Sequence, residues 1–210
     1  MTTFKENNNI EERILETARV LFIEKGFTET SMSEIAAAIG INRPVLHYYY
    51  RTKEKLFKAV FGMIIQSVLP KVQNIIQNKN EPIPARIRSI VETYYSTLSE
   101  YPNLPLFIYR EMHRDTGFLI ESIMTSEIKD SFNSLIRNLQ EGMEEDLLEK
   151  VPLRILFLSF YSLLTFPFLT KDFCSCTLLK DGESFDKLLE EWKPYLVSQI
   201  TFLLCPKDYK

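Results

Sequence analysis

Apolar residues recur at helical spacing along most of this chain, and turn-forming residues divide them into separate runs. Ile10, Ile14, Ala18, Leu21 and Phe22 make the first stripe, with Asn9 and Glu12 placed as its cap and Gly26 as its stop. Residues 1–8 before it read as a polar arm, and Phe27 after it is expected to fold back onto the core. Ser31 and Glu34 then form a capping box, followed by Ile35, Ala36 and Ile39 up to Gly40. Only Ile41 separates that glycine from Asn42, a good N-cap, and Arg43-Pro44 begin a further helix where an early proline costs no intrahelical hydrogen bond. Two short helices joined by so tight a turn predict a helix-turn-helix. Val45, Leu46 and Tyr49 or Tyr50 are expected to reach the shared core, leaving Arg43, Pro44, His47 and Tyr48 facing outward.

Thr52 caps a fourth helix whose Leu56, Phe57, Val60, Phe61, Ile64 and Ile65 make one broad apolar side. Pro70 bends or ends it, with helical material resuming through Ile75 and Ile76. The stretch 78–84, NKNEPIP, is the clearest break in the chain. Beyond it the spacing predicts helices over residues 85–99, 106–113, 119–139 with an extension as far as 148, 153–165 and 184–203. No repeat and no convincing strand pattern emerges. The expectation is an all-α fold of about nine helices: a helix-turn-helix DNA-binding domain over residues 1–52, a connecting helical region over 53–78 and a ligand-binding and dimerisation domain over 79–210.

The helix over 153–165 is apolar almost all round, and the last helix, with Leu188, Leu189, Trp192, Tyr195, Leu196, Val197 and Ile200, exceeds one narrow stripe. Helices of that kind are either central or covered by another subunit, so a homodimer through segments near 153–169 and 184–203 is expected.

Composition changes little in this picture. With 210 residues, 45% apolar content, ten tyrosines and fifteen phenylalanines, the chain can bury a substantial core. The net charge of −3 excludes a strongly basic protein, and residues 1–60 carry nine positive against eight negative charges, so any DNA binding must come from a local patch. Three cysteines, at 174, 176 and 205, are too sparse for a disulfide framework and lack zinc spacing, so free thiols are expected and no metal. No signal-like run and no uncharged stretch of membrane-spanning length occurs, which makes the cytoplasm the default and a membrane partner unexpected.

Residues 10 to 60 resemble the DNA-binding domain of the TetR family of transcriptional regulators. The matching parts are Ile14-Leu15-Glu16-Thr17-Ala18, Leu21-Phe22, Lys25-Gly26-Phe27, Thr30-Ser31, Ile35-Ala36, Gly40, Leu46-His47-Tyr48-Tyr49-Tyr50, and Thr52-Lys53-Glu54 with Leu56. His47 departs from the pattern, since the family usually has tyrosine there. The resemblance implies a dimer of the kind already drawn from the C-terminal helices, and it assigns Tyr49 mainly to DNA-backbone contact with Tyr50 buried.

The expected function is a ligand-responsive transcriptional regulator, a repressor that binds double-stranded operator DNA of inverted-repeat form. Arg43 suits guanine O6 and N7, and Pro44 or Val45 a thymine methyl; His47 and Tyr48 are further candidates. Asn42, Thr30 or Ser31, Tyr48, Tyr49 and Lys53 are candidates for phosphate contacts. Tyr94, Tyr95, Phe107, Tyr109, Phe132, Phe157, Tyr161 and Phe166 are candidates to line an apolar chamber for a small, largely apolar effector. No phosphate-binding glycine loop, metal constellation or serine elbow is present, so neither catalysis nor a cofactor is expected. A helical binding protein for hydrophobic ligands, without regulatory activity on DNA, remains the alternative.

Overall fold

The computed structural model describes residues 2–180 and 182–205, with side chains from Ile10 onward. Every regular element among the described residues is an α-helix, in the order α1 (Thr2–Glu29), α2 (Met32–Ile39), α3 (Arg43–Tyr49), α4 (Lys53–Gln77), α5 (Ile83–Glu100), α6 (Leu104–Arg114), α7 (Thr116–Ile123), α8 (Ser126–Glu144), α9 (Leu153–Leu169), α10 (Lys171–Thr177) and α11 (Phe185–Leu204). The all-α architecture is as the periodicity predicts, with eleven helices in place of about nine. One of the two extra elements arises because the run from 119 is split at Met124 and Thr125, after an α7 capped by Asp115, whose carboxylate accepts from the Phe118 N–H at 2.9 Å. The other is α10, seven residues too short to show a stripe and bent by 69° from α9.

Three boundaries move for local reasons. Helix α1 begins at Thr2, so the expected arm is helical and Asn9, whose side chain lies outside the described residues, is no cap; asparagine's intrinsic penalty in a helix is only a fraction of a kcal/mol, roughly 0.7 at most. Helix α4 continues through Pro70. Helix α9 likewise runs past Thr165 and through Pro167 to Leu169. Proline cannot supply the N–H that Leu163 would receive four residues on, and the Trp192 indole N–H donates to the Leu163 carbonyl instead, at 2.9 Å.

Two compact units divide the chain, one made of Met1–Ser67 and Leu106–Ile128, the other of Val68–Pro105 and Lys129–Lys210. In the first, Ile14, Phe22, Ile35, Leu46, Leu56 and Phe57 are fully buried. Phe57 sits at the centre of a ring cluster, 5.2 Å from Phe22, 5.0 Å from Phe27, 4.8 Å from Phe61 and 5.3 Å from Phe118. Phe27 thus joins the core as expected, although Gly26 breaks α1 before it with φ +82° and ψ 172°. The uncharged stretch of α4, residues 59–70, is well short of a bilayer span of about 20 residues, although an 18-residue window of the helix reaches a mean hydropathy of 1.3.

In the second unit α11 packs on α5 and on α9, burying Val91, Tyr95, Leu164, Leu189, Leu196 and Ile200. Helix α9 is only partly interior: Leu156 and Leu164 are buried, whereas Leu158 and Phe166 lie more than half exposed.

Candidate DNA interface and ligand cavity

Helix α2 is fixed at both ends. Ser31 Oγ accepts from the Glu34 N–H at 3.1 Å, and Gly40 is left-handed at φ +80°. The Gly40 N–H reaches the Ala37 carbonyl and the Ile41 N–H the Ala36 carbonyl, at 3.1 and 3.0 Å, which is a Schellman closure. Arg13 of α1 adds a cation at the same end, donating to the Ile39 carbonyl at 2.8 Å. The turn into α3 is therefore set by three hydrogen bonds. Asn42 occupies the N-cap in an extended conformation but makes no side-chain cap bond; its carbonyl accepts from Val45 N–H at 2.9 Å.

From that start α3 turns Leu46 inward, fully buried, and leaves Arg43, Pro44, Val45 and Tyr48 exposed. Tyr48 is 81% exposed, against 39% for Val45. Two expectations are corrected. Val45 is exposed, Leu46 being the one residue that α3 buries, and Tyr50 is half-buried rather than buried, its hydroxyl donating to Glu11 at 3.1 Å. Burial, reinforced by the Glu11 carboxylate, pushes the Tyr50 phenol well up.

His47 does something the sequence does not announce. Arg43 can only donate, so its Nε–H at 3.2 Å from His47 Nε2 fixes that nitrogen as the acceptor, and Nδ1–H donates to the Arg51 carbonyl at 3.1 Å. The histidine braces the guanidinium on its Nε side and leaves the terminal amino groups of this exposed arginine out of that bond. That is the edge a guanine would meet.

The other predicted contacts separate by exposure. Ser31 is exposed, and Tyr49 is half-buried with its ring 5.4 Å from Tyr48. Thr30 is buried, its hydroxyl donating to the Gly26 carbonyl at 2.8 Å, which gives the Thr30 side chain a structural post. Lys53 is committed too: Nζ donates to the Phe27 and Thr30 carbonyls at 2.7 and 2.9 Å and lies 4.2 Å from the centre of the Phe27 ring. Its charge closes the end of α1, where broken helix geometry leaves carbonyls without donors.

A cavity of about 800 Å³ lies within the second unit, between α4, α5, α8, α9 and α11. Of the eight aromatic side chains expected there, Tyr94, Phe157 and Tyr161 line it. Phe107 is instead core of the first unit, 5.4 Å from Phe61; Tyr109 and Phe166 are exposed; Phe132 touches the cavity wall only through Phe157, at 5.6 Å; and Tyr95 is buried against Phe168. Ring content alone does not separate lining from packing, which is why this part of the sequence reading is loose. The Tyr94 and Tyr161 hydroxyls bond to each other at 3.0 Å, and burial pushes both up, so they are neutral polar groups.

What the sequence reading missed is the cavity's polar content. Arg86, Asn138 and Thr201 line it, and each also holds a buried polar atom without a partner. The signal was available as single polar residues inside apolar helical faces: Arg86 beside Ile87, Asn138 between Leu135 and Leu139, and Thr201 between Ile200 and Leu204. Among the described residues no group of three or more His, Cys, Asp or Glu is placed to hold a metal.

An outward helix set on a capped partner, in an all-α chain whose second unit encloses a cavity, defines a helix-turn-helix DNA-binding regulator. Residues 14–60 match the model of bacterial regulatory proteins, tetR family. A probable HTH-type transcriptional regulator of Bacillus subtilis, YttP, is 25% identical over 165 residues, covering 78% of this chain and 79% of that one. The HTH-type transcriptional regulator EthR of Mycolicibacterium smegmatis is 30% identical over 96 residues, 44% of this chain and 42% of its own length. In fold, a TetR family transcription regulator from Marinobacter aquaeolei VT8 superposes with a TM-score of 0.66 over 99% of this chain and all of that one, at 18% identity. Residues 14–60 thus form a DNA-binding domain of the TetR family of transcriptional regulators.

Proposed function

We propose that this protein is a repressor that binds an inverted-repeat operator as a homodimer, in the cytoplasm where its operator lies, and leaves it when a small, largely apolar molecule occupies the second unit's cavity. The observation that carries the reading is the outward face of α3: Leu46 anchors the helix while Arg43, Pro44, Val45 and Tyr48 stand exposed on it. A helix so placed suits a major groove, with Arg43 reading guanine and Pro44 or Val45 a thymine methyl. Ser31, Asn42, Tyr48 and Tyr49 hold the backbone, and His47 keeps Arg43 in place.

Two such helices must be spaced by about 34–36 Å to read successive major-groove faces, so a second copy is required. The surface that supports pairing is on α9 and α11, where Leu158 and Tyr195 are 65% and 66% exposed. A ligand that favours a subunit arrangement with the wrong spacing lowers DNA affinity by linkage.

The test is a footprint of the purified protein on its own promoter region at low salt. Two protected half-sites are expected without ligand, and Arg43→Ala should cost about 1–3 kcal/mol at one base position while Tyr49→Phe weakens all sequences alike. A folded dimer that protects nothing under those conditions would overturn the reading.

A further inference from the structure

Resting on the DNA-binding reading above, we propose that Arg51 is the phosphate clamp of the α3 helix, receiving a DNA backbone phosphate at the edge of the groove in the role for which the sequence suggests Lys53. A lysine ammonium has three protons to donate. In Lys53 the Phe27 and Thr30 carbonyls receive it at 2.7 and 2.9 Å, and the Thr28 carbonyl lies at 3.5 Å. The Phe27 ring adds to this enclosure, its centre 4.2 Å from Nζ. A cation with its donors so engaged has none left for a phosphate, and the reading helix needs its backbone charge from another residue.

Arg51 is placed for that role by its backbone. It follows the α3 C-cap, Tyr50, and its carbonyl accepts from His47 Nδ1–H at 3.1 Å, while Nε2 of the same ring accepts from Arg43 Nε–H at 3.2 Å. One imidazole therefore spans the base-reading arginine and the residue that leaves the helix, which puts Arg51 on the same edge of α3 as Arg43. The major groove is about 12 Å wide and 8.5 Å deep, with phosphates along its lips. A helix whose Arg43 meets a base edge then holds a second arginine, one imidazole away, within side-chain reach of a lip. Arg51 is exposed, and among the described residues no carboxylate forms an ion pair with it. The acidic groups of the adjoining turns are engaged: Glu11 accepts from the Tyr50 hydroxyl, and Glu54 is held as a carboxylate by its own N–H and then by the Thr52 hydroxyl. The guanidinium keeps its whole donor fork for two phosphate oxygens, because the tie to His47 uses only the main chain.

The experiment measures binding of the full-length protein to its own promoter region, and to an unrelated duplex, by fluorescence anisotropy between about 50 and 200 mM salt. A clamp on each subunit contacts two phosphates per bound dimer, and each phosphate contributes about 0.9 to the slope of log affinity against log salt, so Arg51→Gln should flatten that slope by about 1.8. It should also weaken both duplexes alike, by about ten-fold or more at the lower salt. Arg51→Lys keeps the charge and should keep most of the slope. Lys53→Gln should show its loss as a lower melting temperature and leave the slope near that of the parent, whereas the exposed Arg51 variants should melt with the parent. The assignment is overturned if Arg51→Gln keeps the parent's slope, if Arg51→Lys flattens it as much as Arg51→Gln does, or if Lys53→Gln is the variant that flattens it. A parent protein that binds no part of its promoter region would bring down the DNA-binding reading itself; a parent that binds, with its slope untouched by Arg51→Gln, removes the clamp alone.

Discussion

The two compact units treat their buried polar groups in opposite ways. In the first, the groups that hold the frame are answered: Thr30 by the Gly26 carbonyl, Lys53 by the Phe27 and Thr30 carbonyls, and Glu111 by the Phe27 N–H at 2.8 Å and Arg114 Nε–H at 2.6 Å. In the second, Arg86, Asn138 and Thr201 each leave an atom unanswered at one cavity. A satisfied network makes one arrangement much lower in energy than its neighbours, whereas unsatisfied atoms leave their desolvation cost uncompensated. Under the function proposed above, reading DNA needs the first condition, because the α3 side chains must arrive in register.

Removing an answered group should therefore cost far more than removing an unanswered one. The largest effect is expected at Glu111, buried on α6 with its side chain 3% exposed. Glu111→Leu strands the Phe27 N–H and unpairs Arg114, which is itself about a third exposed, so a loss of about 2–3 kcal/mol is expected in urea unfolding followed by helical signal. Gly26→Ala tests the same junction from the other side. Its φ of +82° with ψ of 172° suits only glycine, and a Cβ there would stand 3.2 Å from Glu111 Oε1, so a loss of about 1–3 kcal/mol is expected. Gly40 has open space around its Cβ position and a plain left-handed backbone, so Gly40→Ala should cost nearer 1 kcal/mol. If Glu111→Leu melted like the parent, the first unit's answered network would not be what orders it.

The opposite sign is expected in the cavity. Thr201→Val removes an unanswered hydroxyl at nearly constant volume, so the unliganded protein should be unchanged or gain up to about 1 kcal/mol in the same assay. A loss comparable to that at Glu111 would erase the contrast between the units.

How much of this was legible follows from the range of each interaction. The helix-turn-helix was readable because its determinants are local: Ser31 and Glu34 three apart, Gly40 just past the last apolar residue, Pro44 in the first turn. The mate of the Gly26 break was not readable, since Glu111 lies 84 positions from the Phe27 N–H it accepts. Lys53 looked like a phosphate ligand for the same reason: nothing near it in the chain shows that the carbonyls of Phe27 and Thr30 come within reach. The expected end at residue 165 fell short of Leu169, and the donor that serves the Leu163 carbonyl in place of Pro167, the Trp192 indole, lies 29 residues beyond Leu163. In the cavity, aromatic content drew attention to eight rings of which three line it, while the polar residues that face it hid inside apolar stripes.

The brace on Arg43 gives a smaller, sharper test of the fixed unit. His47→Ala frees the guanidinium, and ordering it again on DNA costs about 0.5–1.5 kcal/mol, a few-fold to roughly ten-fold in operator affinity. His47→Gln keeps an acceptor at that place and should recover part of the loss. Equal affinity for the alanine variant and the parent would mean that Arg43 needs no bracing.

The smallest effect is expected at Lys25 and Glu34, a pair that joins α1 to α2 on the surface. The hydrogen bond from Lys25 comes first in holding the Glu34 carboxyl below its usual range, followed by Lys25's charge and a bond from the Ser31 backbone, with desolvation opposing. A carboxyl lowered on folding stabilises above its unfolded pKa, and that contribution is lost as pH falls through the folded value. Both groups are solvated, so screening leaves little of it at neutral pH. Lys25→Ala should melt within about 1 °C of the parent at pH 7 and separate from it, if at all, only over the acid range where the parent is still losing the Glu34 contribution. The Ser31 bonds survive the substitution, so α2 keeps its start. A fall of several degrees at pH 7 would mean that the order of the DNA-reading unit depends on its surface charges as much as on its buried ones.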